Sequence, residues 1–149
     1  NYVAKTYPNT EKIFVWRSVW TAFASMVFKY DQNSKIALIT PFDRFIDRAK
    51  EQYSFLPVSM LLRYRFDNRE VFNDSYRYCD WGENCNIKTK LWIFVAEKDE
   101  VIDSKFWISL YNNISKVKQE LKIIKDAMHN DILDNKDFWT EFNKFLQEK

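Results

Sequence analysis

The chain has 149 residues, 46% hydrophobic and 18% aromatic, enough to bury a sizeable core as one domain or as part of a larger one. Its 23 basic and 21 acidic side chains leave a net charge of +2, which offers nucleic acid little, and no apolar run approaches the roughly 18 residues of a membrane span. The amino terminus lacks a signal-peptide pattern, and Cys79 and Cys85 have no second His or Cys cluster with which to complete a zinc site.

In chain order, residues 12–16 read as a short strand and residues 18–30 as a helix, with Ala22, Phe23, Met26, Val27 and Tyr30 recurring at three and four positions. Ser18 therefore stands at a strand-to-helix junction. Residues 35–40 form a second apolar strand closed by Pro41, followed by helices over 43–53 and, after Pro57, over 58–64. The pattern fails over residues 67–86, a polar, aromatic, turn-rich stretch that reads as a long loop or insertion. The two cysteines fall here, either as a local disulfide or as free thiols, and so does Gly82. It is the only glycine, where average usage of about 7% would give about ten. Tight turns must then rely on Asn, Asp and Ser.

Order resumes with residues 90–96, the most apolar strand, a helix over 104–114, a strand over 120–125 and a terminal helix over 136–147. Trp92, Phe94, Trp107 and Trp139 fall on apolar faces and read as core. Apolar strands separated by helices predict an α/β fold with a parallel sheet covered on both faces and no internal repeat. In such a sheet the loops that follow the strands gather along one edge. Three of them carry chemistry: Ser18 on the first, Glu97-Lys98-Asp99-Glu100 after the third strand, and Asp126 to Asp131, with the only histidine, His129, after the fourth. A serine becomes a nucleophile when a base takes its proton and an acid orients that base, which calls for one hydroxyl, one imidazole and one carboxylate on separate loops of one edge.

Each residue has a structural rival. Ser18 would also serve as a helix N-cap. Asp99 sits among Glu97, Glu100 and Asp103, any of which would solvate a loop or cap the helix at Ser104. Asp131 and Asp134 read as caps of the last helix, and Arg17 either holds an anion or lies on the surface. A nucleic-acid surface along residues 63–77 is a further reading, testable by salt dependence.

The stretches AEKDEVI (96–102), DAMHNDI (126–132), FLPVSMLLRYRFDN (55–68) and VWRSVW (15–20) occur in the order Ser, Asp, His. Together they resemble the carboxyl-terminal half of an α/β-hydrolase of the serine-aminopeptidase-like or prolyl-oligopeptidase-like branch, over nearly the whole chain. The resemblance implies Ser18 as nucleophile, Asp99 as orienting acid and His129 as general base. It also implies an oxyanion donor in the backbone N–H of Val19, a partial cap from residues 42–65, and hydrolysis of an ester or peptide substrate without metal or organic cofactor.

It departs from the family at Trp16, Trp20 and Met128, where glycine is usual. Side chains flanking a strained turn are expected to collide, so the turn either relaxes, with loss of hydrolysis and survival as a binding or assembly module, or takes another backbone route. The resemblance further implies a single domain over 1–149 that lacks the strands before the turn, so that a preceding segment or a second copy must cover the first strand's edge. A cytoplasmic location is the default, with export or anchoring left open if such a segment precedes.

Overall fold

Four apolar segments that share a period of two bury themselves by pairing side by side. In the computed structural model, which describes residues 2, 6, 7, 10–23, 34–63, 66–73, 88–115 and 117–148, these are β1 (Lys12–Arg17), β2 (Ser34–Ile39), β3 (Lys90–Ala96) and β4 (Lys118–Ile124). They lie in the order β1-β2-β3-β4 and every pair is parallel, with Arg17 opposite Ile39, Ile39 opposite Phe94 and Ala96 opposite Ile124. β2 is buried along its whole length, and only the first residue of β3 is partly exposed, as expected of central strands covered on both faces.

The helices are α1 (Phe45–Gln52), α2 (Val58–Leu61), α3 (Asn68–Asn73), α4 (Ser104–Asn113) and α5 (Lys136–Gln147). A sheet wound in one direction places right-handed crossovers on a single face. Accordingly, Phe72 of α3 and Leu110 of α4 close one core with Ile36, Leu38, Leu91, Ile93 and Val95. On the other face Phe138 and Phe145 of α5 pack on Ala37, Ile39, Trp92, Phe94 and Ile124. Aromatic rings fill this second layer: Phe94 meets Phe138, Phe142 and Phe145 with centroids 5.3–6.3 Å apart. β1 is an edge strand. Phe14 and Trp16 stack on each other with centroids 6.0 Å apart and pack against the first core, while Ile13 and Val15 stay exposed on the side that α5 covers farther along the sheet.

The fold class read from the sequence is the one observed, and the differences are local. The 67–86 stretch, expected to be loop, begins with α3. Only Val71 and Phe72 give that helix an apolar side, too little for a periodic signal, and it is held by Phe72 buried against distant strands and by Asn68 donating to the Phe42 carbonyl at 2.9 Å. Nearby, Asp43 accepts from Ser109 at 2.5 Å and lies 2.7 Å from Arg69 Nε, and burial pushes its carboxyl above the ordinary range despite both partners. The helix expected over 58–64 ends at Leu61. Trp139 is not core: it is 48% exposed, with its indole N–H donated to the Leu133 carbonyl at 2.6 Å. The last helix is capped by Asn135, which accepts from the Asp137 N–H at 2.8 Å, and not by Asp131 or Asp134. The remainder of the predicted first helix, residues 24–30, and the cysteine pair Cys79 and Cys85 lie outside the described residues.

Candidate active site

The strands end on one rim, and the backbone there leaves ordinary conformations. Among the described residues three non-glycines have positive φ, and each follows the carboxyl end of a strand: Ser18 (52°) after β1, Thr40 (46°) after β2 and Asp126 (58°) after β4. Such a conformation costs a residue about 1–3 kcal/mol and is retained where surrounding contacts over-determine it. At Ser18 those contacts are visible. The chain passes from β1 into a tight turn, Ser18–Trp20, and the buried Thr21 donates its hydroxyl to the Ser18 carbonyl at 2.6 Å.

The expected collision at the flanking positions does not occur. Trp16 continues the alternation of β1 and packs on the core, while Trp20 turns outward, 64% exposed, with its ring 5.6 Å from Phe23. The left-handed turn is therefore kept without glycine on either side. Val19, half-exposed, follows Ser18 in the same turn.

Ser18, Asp99 and His129 are brought together. The Ser18 hydroxyl lies 2.9 Å from His129 Nε2 and is not used as a helix cap; the other ring nitrogen, Nδ1, sits 3.0 and 2.9 Å from the two Asp99 oxygens. The imidazole is 4% exposed and the Asp99 side chain equally buried. A nitrogen facing two carboxylate oxygens must be the donor, so Nδ1 carries the proton and Nε2 is left as an acceptor for the serine O–H. Asp99 is itself oriented: its Oδ1 also accepts the N–H groups of Val101 at 3.0 Å and Ile102 at 2.7 Å.

The other acidic residues separate by role. Asp103 caps α4, accepting from the Lys105 N–H at 2.9 Å. Glu97 accepts the Asp126 N–H at 3.0 Å, and the Lys98 ammonium, 2.6 Å from Asp126, holds that exposed carboxyl below the usual range. With the bonds from the Glu97 N–H to the Ile124 carbonyl and from the Lys98 N–H to the Ala127 carbonyl, these contacts stitch the aspartate loop to the histidine loop. Asp131 accepts the Met128 N–H at 2.6 Å inside the loop. The contacts of two residues were not foreseen in the sequence. Glu100 accepts the His129 N–H at 3.0 Å, and Arg17, half-buried, donates to the His129 carbonyl at 2.6 Å and to Asn130 Oδ1 at 3.3 Å. The sequence signal for both was adjacency alone, since each neighbours a candidate site residue.

A polar cleft of about 460 Å³ opens between α1 and the loop after β3, lined by Arg48, Glu51, Glu97, Glu100, Asp103 and Trp107 among others. Asp99 reaches it, but Ser18 and His129 do not line it, so it backs the carboxylate instead of opening on the hydroxyl. Among the described residues no three His, Cys, Asp or Glu side chains gather as a metal site, and no helix is long and apolar enough to cross a membrane.

No protein-family model matches the chain, and no curated protein matches it in sequence. Solved structures match in fold. An esterase from Pyrococcus furiosus superposes with a TM-score of 0.60 at 17% identity, over 98% of this chain and 57% of its own. A putative alpha/beta hydrolase from Agrobacterium tumefaciens gives 0.57 at 12%, over 97% and 54%. An alpha/beta hydrolase from a sediment metagenome of the Mar Chica lagoon gives 0.62 at 11%, over 98% and 65%. At such identities the likeness is one of fold: the parallel sheet and its helices correspond to part of an α/β-hydrolase, and the chain spans a little over half the length of the first two.

Proposed function

We propose that this chain is a serine hydrolase that cleaves an ester or amide bond through an acyl-serine intermediate. In this reading His129 Nε2 takes the Ser18 proton as Oγ attacks the substrate carbonyl, and the N–H of Val19 helps hold the resulting oxyanion. His129 then gives that proton to the departing alcohol or amine, and Asp99 stabilises the imidazolium while it exists. A water, deprotonated by His129, attacks the acyl carbonyl; the carboxylate product leaves and Ser18 regains its proton. Residues 42–65 form part of the substrate's surroundings, and the serine-aminopeptidase-like or prolyl-oligopeptidase-like branch is the finer assignment proposed. The same reading treats the chain as one domain of that fold.

The observation that carries it is the continuous path from the Ser18 hydroxyl through both ring nitrogens to Asp99, each step 2.9–3.0 Å. Ser18 at φ 52° supports it too, because a strained turn presents the hydroxyl at the rim. The competing reading, a binding or assembly module that keeps the fold without the chemistry, rests on the absence of glycine at residues 16, 20 and 128, although Trp16 and Trp20 are accommodated without collision. A fluorophosphonate probe separates the two. Covalent labelling that disappears in Ser18→Ala is the expected result, whereas an unlabelled wild-type chain, or labelling that survives the substitution, overturns the hydrolase reading.

A further inference from the structure

We infer that Arg17 and Glu100 are positioning residues that clamp the main chain of His129 and thereby set where its ring stands. The inference rests on the hydrolase reading for its catalytic consequence, though not for the clamp itself. The two ends of residue 129 are held by opposite charges: the Glu100 carboxylate accepts its N–H at 3.0 Å, and the Arg17 guanidinium donates to its C=O at 2.6 Å. Charge-assisted bonds of this kind are shorter and stronger than neutral ones. Fixing the N–H and the C=O of one residue fixes the peptide planes on both sides of it, leaving only the side-chain torsions for Asp99 to set.

The clamp is built from the residues next to the ring's two partners. Arg17 precedes Ser18 and Glu100 follows Asp99, so each loop that supplies a bond to the imidazole supplies a second to its backbone. A shift of either loop would then carry the histidine with it. The Arg17 guanidinium is given over to the clamp, since its Nη2 bonds go to His129 and Asn130 while its Nε is buried with no partner among the described residues, a cost the fold carries.

His129 is the only histidine in this sequence, so the imidazole-labelled chain gives a single set of ring resonances in nuclear magnetic resonance. Arg17→Met and Glu100→Ala are expected to broaden or abolish the Nδ1 proton resonance while the chain stays folded by circular dichroism. They should also slow fluorophosphonate labelling of Ser18 by about tenfold to a hundredfold, since small misplacements of a reacting group cost that much. On p-nitrophenyl butyrate the loss should fall on kcat, with KM little changed. Arg17→Lys and Glu100→Gln, which retain a donor and an acceptor, should restore most of both signals.

An unchanged ring resonance in the folded Met and Ala variants overturns the clamp, as does failure of the conservative pair to restore it. Should Arg17→Met not fold, Arg17→Gln against Arg17→Lys makes the same comparison. A wild-type chain that resists labelling while its resonance responds to both substitutions sustains the clamp and sinks the hydrolase reading. A labelled chain indifferent to both does the reverse.

Discussion

On the hydrolase reading, replacing Asp99 by asparagine should keep nearly every atom in place and remove the chemistry. Oδ1 of Asp99 accepts from the backbone of Val101 and Ile102, two donors that an amide nitrogen cannot face. The asparagine must therefore keep its oxygen there, which puts its NH2 where Oδ2 now lies, 2.9 Å from His129 Nδ1. A donor at that point opposes a proton on Nδ1, leaving it only the Oδ1 position at 3.0 Å, already shared with two backbone N–H groups, and so favours the tautomer with the ring proton on Nε2, 2.9 Å from the serine hydroxyl. Ser18 then faces a donor and has no base. In serine hydrolases this change of tautomer lowers kcat by about 10⁴, equivalent to about 5.5 kcal/mol of transition-state stabilisation. The measurement is the rate of fluorophosphonate labelling or of p-nitrophenyl ester turnover in Asp99→Asn, with the thermal midpoint as a control for folding. The two backbone bonds survive, so the midpoint should move little. An asparagine variant that reacts within tenfold of the wild type would refute both the tautomer assignment and the role given to Asp99.

The two tryptophans that flank Ser18 should separate in a denaturant titration. Trp16→Gly removes a ring packed on the core and should cost about 3 kcal/mol or more, whereas Trp20→Gly removes an exposed ring and should cost about 1 kcal/mol or less; equal effects would contradict the packing described for the turn. Asp43 gives the pH prediction. Its folded carboxyl titrates above its unfolded value, so the folded state binds a proton that the unfolded state has released. The stabilisation from the neutral acid is thus complete below about pH 4 and is lost as pH rises through the elevated folded value. Urea midpoints measured across that interval should fall less steeply in Asp43→Asn, and an unchanged slope would count against the burial assigned to this carboxyl.

Much of the fold can be read in the chain because its signals are local. After Lys90, residues 91–96 are apolar throughout since both faces of β3 are covered, and the strand–helix alternation follows from periods of two and 3.6. Residue types are legible as well: a serine after the first strand, a carboxylate after the third and one imidazole after the fourth appear in the chain order of the resemblance. α3 escapes such a reading because its burial is supplied by strands outside its own stretch, and Trp139 defeats it because periodicity cannot say whether a face meets another element or solvent.

What only the tertiary structure decided is the meeting of residues 30 and 111 positions apart at 2.9–3.0 Å, since strand order and register, not composition, determine which loops share a rim. The conformation of Ser18 belongs to the same category. Nothing in Trp-Arg-Ser-Val-Trp favours a positive φ; Trp16 packed on the core and Thr21 held to the Ser18 carbonyl impose it, because strain of that size persists only where packing leaves the backbone no alternative. Arg17 and Glu100 likewise reach the histidine main chain only once two loops lie against a third, a proximity that no pattern along a single chain encodes.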